Sequence, residues 1–170
     1  MKTLPQPSFT QALESAVNRI LEIKGRSRRS EFWWPMALVF VLSMAIPYIG
    51  FILNVLMVPL TFRRLHDTGR SGWWWGLGVL LQGGCIIFLL REIASLILES
   101  QTADEYFVDV LWHWIAQCGL WLAIIVIYQV VMIVFLCMDS EKYENKYGSS
   151  PKYVDEEPSE DAEEGSFESY

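Results

Sequence analysis

The chain has 170 residues, 52% of them hydrophobic, and a formal net charge of −7. Residues 139–170 hold 11 acidic and 3 basic residues, net −8, whereas the other 138 residues hold 9 acidic and 10 basic, net +1. The acidity is thus confined to a tail, and three stretches free of formal charge, of 31 residues (32–62), 20 residues (71–90) and 29 residues (110–138), exclude an ordinary soluble domain.

The first segment, SFTQALESAVNRILEIKGRSRRSE, spaces Phe9, Leu13, Val17, Ile20 and Leu21 on one helical face, with Ala12 and Ala16 alongside. Ser8 and Gln11 have capping-box spacing. Followed by Lys24, Arg26, Arg28 and Arg29, this reads as an amphipathic helix at the membrane surface, or as one packed on the protein's own loops.

The stretch 32–62 begins too late to be a cleaved signal peptide and is expected to be retained. As one straight helix it would be about 46 Å long, well beyond a hydrocarbon core of about 30 Å. Pro47 and Gly50 supply turn chemistry near its middle, while Arg26, Arg28 and Arg29 precede it and Arg63, Arg64 and Arg70 follow it. Cytoplasmic flanks are the arginine-rich ones, so the stretch is expected to cross twice as a hairpin, with Ser30 as N-cap and Glu31 in the first turn. Its second limb is expected to end at Leu65.

GRSGWWW, residues 70–75 with Gly69, then opens a second hairpin much as GRSRRSEFWW opens the first. A helix is expected from Trp73 to about Leu90, continuing to Leu98 as an amphipathic piece with Arg91 snorkelling. The acidic ESQTADEYFVD lacks Lys and Arg, as an external loop should, and the last span follows within 110–138 with Trp112 and Trp114 at its outer interface. Both termini are then inside. The final residues, poor in large aliphatics, are expected to be disordered. Cys85, Cys118 and Cys137 lie in apolar runs without metal or redox spacing.

The fold expected is therefore an all-α integral membrane protein: four transmembrane helices as two hairpins, an N-terminal amphipathic interfacial helix and a disordered acidic C-terminal tail. Its parts are 1–29 (helix and basic lead-in), 30–138 (spans near 30–46, 48–65, 72–98 and 108–138), 139–151 (a membrane-exit motif) and 152–170 (the tail).

With GRSRRSEFWW, FRRLHDTGRSGWWW and ENKYGSSP in place, the chain resembles the bacterial inner-membrane family known as domain of unknown function 805 over about Phe9 to Pro151. The resemblance rests on Gly25, Arg26, Arg29, Glu31, Phe32 and Trp33, then on Arg63, Arg64, Leu65, His66, Asp67, Arg70 and Ser71, and lastly on Asn145, Tyr147, Gly148 and Pro151. Between about Gly83 and Gln117 a longer charged insertion departs from it. The resemblance implies location and fold, and the family carries no agreed activity.

The polar knot of residues 62–71 admits three readings. His66 beside Asp67 invites acid-base or metal chemistry, but the other histidine, His113, is expected at the opposite face and no HExxH, P-loop or nucleophile elbow accompanies it. In the structural reading Arg63 and Arg64 fix orientation and Asp67-Thr68-Gly69 forms a turn whose aspartate accepts backbone N–H groups. In the third, Arg26, Arg28, Arg29, Arg63, Arg64 and Arg70 converge, with Glu31, His66 and Asp67, on a cytoplasmic patch for lipid phosphate or an anionic partner.

The reading adopted is a non-enzymatic membrane or accessory component of the bacterial inner membrane, without cofactor or metal. Its partners would be the bilayer and its anionic phospholipid head groups, with a homo-oligomer or membrane partner protein possible and no nucleic acid. The alternative is an oligomeric small-solute transporter or channel subunit, for which Asn54, Gln82 and Gln129 would line one water-filled cavity.

Overall fold

A computed structural model describes residues 1–99 and 107–154. The chain is mostly helical, and among the described residues three stretches are long and apolar enough to cross a membrane: Tyr48–Asp67, Trp73–Leu98 and Leu111–Cys137. It divides into two compact units, one built from residues 1–69 and from 139 onward, the other from residues 70–138.

In the first unit a two-residue strand β1 (Lys2–Thr3) precedes helix α1 (Phe9–Asn18). The Ser8 hydroxyl accepts the Gln11 N–H, and the Gln11 side chain accepts the Ser8 N–H, closing the capping box that the spacing predicts. α1 ends at Asn18, so Ile20 and Leu21 lie beyond it. Its buried residues are Ala12 and Ala16, the small side chains that allow close packing on the next helix, α2 (Arg29–Ala45). Phe9 reaches Trp34 of α2 edge to face at 5.5 Å, while Val17 points outward.

The N-cap of α2 lies two residues earlier than the sequence suggests. Arg28, with extended backbone, is its N-cap, and Glu31 accepts the Arg28 N–H at 3.2 Å, so Ser30 sits inside the first turn. The helix ends where Ile46, ahead of Pro47, leaves the helical region, as a residue before proline is pushed to do. Pro47 then starts α3 (Pro47–Leu56), which folds back along α2. Gly50 lies against Ser43 with no room for a Cβ, and Asn54 donates to Ser43 Oγ (3.2 Å) and to the Gly50 carbonyl (2.8 Å). A second break at Met57, two residues ahead of Pro59, separates α3 from α4 (Val58–Asp67). The limb expected as one helix to Leu65 is thus two, and the second carries on to Asp67.

Downstream, the segment after Asp139 returns to this unit. It forms a tight loop in which Asn145 and Gly148 pair through their backbones, then strand β2 (Tyr153–Val154), antiparallel to β1. Lys152, Tyr153 and Val154, expected in the disordered tail, are therefore ordered; the rest of that tail, 155–170, lies outside the described residues.

The second unit pairs α5 (Trp73–Glu99) with α6 (Phe107–Cys137) in antiparallel fashion. Trp74 meets Phe135, Gly78 meets Tyr128 and Phe88 meets Trp121. A Cβ on Gly78 would come within 2.8 Å of the Tyr128 ring, and the Tyr128 hydroxyl donates to the Trp74 carbonyl at 2.7 Å. The expected external loop falls mostly on residues 100–106, outside the described residues.

Burial is inverted relative to a soluble protein. Leu80 and Ile87 on α5 are 71% and 70% exposed, whereas the largest fully buried side chains include Arg63, Arg64 and Asp67. Apolar atoms facing outward and charges facing inward suit a hydrocarbon solvent.

Candidate functional site: a buried arginine–aspartate knot

The end of α4 presents Arg63, Arg64, His66 and Asp67, all buried, to two other parts of the first unit: the lead-in Gly25–Arg28 and the loop after Asp139. Because α4 continues to Asp67, Arg64 and Asp67 stand three residues apart on one helical face. Arg64 Nη1 donates to Asp67 Oδ2 at 2.6 Å, and Arg26 Nε donates to Oδ1 at 3.0 Å. The Ser140 hydroxyl also donates to Oδ2. Both carboxylate oxygens are thus taken by side chains; the expected turn does form at Thr68–Gly69, closed by the Gly69 N–H on the His66 carbonyl at 3.1 Å, but the Asp67 side chain does not accept backbone N–H groups in it.

Arg26 uses its whole fork. Nη1 donates to the carbonyls of Tyr143 (2.9 Å) and Gly148 (3.1 Å), and Nη2 to those of Glu141 (2.6 Å) and Asp67 (3.4 Å). With Nε on Asp67, each of the five N–H groups of a guanidinium finds an acceptor. The Glu141 N–H returns the contact to the Asp67 carbonyl at 3.1 Å, and the Ser27 N–H bonds the Arg63 carbonyl at 3.2 Å. One buried cation therefore joins the lead-in, the end of α4 and the terminal loop.

Two glycines hold carbonyls toward this knot with positive φ, which L side chains rarely adopt: Gly148 at +121° for Arg26, and Gly25 at +89° for His66. His66 Nδ1 lies 3.3 Å from the Gly25 carbonyl oxygen, and its ring stacks on Tyr147 at 3.7 Å and 6°. The His66 carbonyl accepts from Asn145 Nδ2 at 3.0 Å. Among the described residues no third metal-ligating side chain joins His66 and Asp67.

Of the six arginines expected to converge on one cytoplasmic patch, five lie in the first unit and Arg70 in the second. Arg26 and Arg64 are consumed by Asp67 and by backbone carbonyls, and Arg28 donates to the carbonyls of Pro5 (2.7 Å) and Leu4 (3.3 Å). Glu31 serves the Arg28 N–H. Arg29 is half exposed and faces Asp139 at 3.4 Å. Arg70 belongs to the second unit, where its guanidinium lies 3.8 Å above the Phe135 ring. Arg63 alone in the knot is both buried, at 1% exposure, and without a hydrogen-bond partner on any guanidinium nitrogen.

At the rim, Asp139 meets Lys152 as well as Arg29. Partial burial pushes the Asp139 carboxyl up, but the hydrogen bonds from Lys152 and the Ser140 N–H, with the charge of Arg29, outweigh it and hold the group below its ordinary value. The hydrogen bond to Asp139 holds Lys152 above its own.

Sequence reasoning missed Ser140, the carbonyls of Glu141 and Tyr143, and the role of Tyr147. The Asn-x-Tyr-Gly signature was the available signal, read as a membrane exit when its loop completes the knot. Residues 41–149 match the family model described as Protein of unknown function (DUF805), a range that takes in the arginine loop and the Asn145–Gly148 loop but begins after the Gly25–Trp33 lead-in. No curated protein and no solved structure matches the chain.

Proposed function

The chain belongs to the DUF805 family of proteins of unknown function, and we propose that it is a non-enzymatic component of the bacterial inner membrane with its knot on the cytoplasmic side. The observation that carries this reading is the state of Asp67: it is fully buried, with both oxygens engaged by Arg26, Arg64 and Ser140. The adjacent His66 is flanked by the Tyr147 stack and the Gly25 carbonyl. A general base needs a free face within hydrogen-bond reach of its proton donor. Here Asp67 joins three chain segments, and His66 Nδ1 lies against the Gly25 carbonyl.

The same reading takes the chain to cross four times, as α2 with α3–α4 and α5 with α6, both termini in the cytoplasm. α2 has 17 residues and covers about 26 Å, short of a hydrocarbon core unless its flanks snorkel. The arginines before α2 and at the end of α4 support a shared cytoplasmic face. Lys24 and the half-exposed Arg29 would meet anionic head groups there.

Complementation of a strain lacking the gene tests the non-enzymatic reading. His66→Ala is expected to restore function, while Asp67→Ala is expected to fail through loss of folded protein. A His66→Ala protein that inserts and folds normally, yet is as defective as the deletion, would overturn it.

A further inference from the structure

Four arginines of the first unit are buried, Arg26, Arg28, Arg63 and Arg64, and among the described residues Asp67 is the one buried carboxylate that faces them. The knot therefore holds an excess of positive charge. Arg26, Arg28 and Arg64 place their donors on backbone carbonyls or on Asp67. Arg63 does not: Nε, Nη1 and Nη2 are all sealed from solvent and all unpaired. A buried guanidinium with no acceptor is among the most expensive arrangements a fold can keep, and buried charges are normally paired.

The charged groups whose fields act on Arg63 are Arg19, Glu22 and Glu31. Both carboxylates are committed elsewhere, Glu31 to the Arg28 N–H and Glu22 to Arg19 Nε at 2.5 Å. Arg19 lies just past the end of α1, its guanidinium packed 2.9 Å from where a Cβ on Gly25 would sit. Arg19 and Glu22 are part-exposed and form an i,i+3 pair outside regular helix, a contact that is cheap to open. Three unpaired nitrogens in a fixed fork, within the field of a second guanidinium held by a part-exposed carboxylate, match an anion with several oxygens better than a two-oxygen carboxylate.

We propose that Arg63 and Arg19 together bind a phosphate group, which displaces Glu22 from Arg19. The phosphate comes either from a lipid head group or from inorganic phosphate. The proposal rests on the reading that the basic lead-in faces an anionic surface, and it adds a specific acceptor site to that general attraction.

The test uses the full chain purified in neutral detergent. Thermal unfolding is followed with inorganic phosphate against chloride at equal ionic strength, and with phosphatidylglycerol against phosphatidylcholine. Wild type should gain about 5–10 °C at a ligand concentration of about a hundred times Kd. A gain with phosphate alone assigns the site to the free ion, and a gain with phosphatidylglycerol only assigns it to the head group.

Arg63→Met should lose the gain, Glu22→Gln should reach it at several-fold lower ligand, and the rim variant Arg29→Ala should keep it. If Arg63→Met does not fold, Arg63→Lys, which keeps the charge without the fork, should need several-fold more ligand. Wild type unmoved by either ligand, or Arg63 variants responding as wild type does, would overturn the site. Association with vesicles is a separate readout. Binding to phosphatidylglycerol vesicles that survives Arg63→Met and falls with Arg29→Ala would leave the general surface reading standing without the site, whereas no binding at low salt would remove that reading.

Discussion

Asp67 is held by one side chain from each of three parts of the first unit: Arg26 of the lead-in, Arg64 of α4 and Ser140 of the returning segment. Removing a partner from a buried ion pair leaves an uncompensated charge, so Asp67→Ala and Arg26→Ala should each destabilise the protein by about 3–5 kcal/mol in denaturant or thermal unfolding. The double variant should lose less than the two added together, because both act on one contact. Arg29→Ala should lose under about 1 kcal/mol, since its pair with Asp139 is half exposed on both sides. The arginine pairing of Asp67 is legible in the sequence as a charge pattern, and the Arg64–Asp67 spacing is a helical one. What hid it was the helix end: stopping at Leu65 turns Asp67 into a turn residue and sends its oxygens to backbone N–H groups. Ser140 left no such trace, because a serine 73 residues away has no local signature to connect it with Asp67.

At the scale of elements, the two short strands and the rim ion pair tie the chain's beginning to the segment beyond the terminal loop. Truncation after Pro151 removes β2 and Lys152 together, so it should lower the melting temperature, while truncation after Val154 should leave it close to wild type. The rim pair also has a pH signature. Asp139 is depressed, so its contribution is present above the ordinary carboxylate value and lost as pH falls through the folded one. Lys152 is raised, so its contribution is present below the ordinary lysine value and lost as pH rises through the folded one. The difference in melting temperature between wild type and Lys152→Met should be level between these limits and shrink at either end. In the second unit, Gly78→Ala should destabilise by pressing α5 off the Tyr128 ring, and a larger residue at 78 should do so more. The break at Ile46 is legible because Pro47 dictates it. The break at Met57 was not read, since an unbroken apolar run masks Pro59, which sits early enough in α4 to be tolerated there. Strands of two residues lie below what any periodicity can signal.

For the whole molecule, the outward-facing apolar surface and inward-facing charge are one pattern, and membrane character was legible because it depends on long uncharged runs rather than on packing detail. Three helical stretches reach spanning length unaided, and the fourth crossing depends on α2, whose 17 residues need help from their flanks. We propose that α2 crosses as well, so that the lead-in, the end of α4 and the terminal loop meet on the cytoplasmic side to close the knot. Reporter pairs active only in the cytoplasm or only in the periplasm, fused in turn near Tyr48, after Gly69, within 101–106 and after Val154, measure this directly. The expected signals are periplasm, cytoplasm, periplasm and cytoplasm in that order; a periplasmic signal after Gly69 would mean that α2 does not cross.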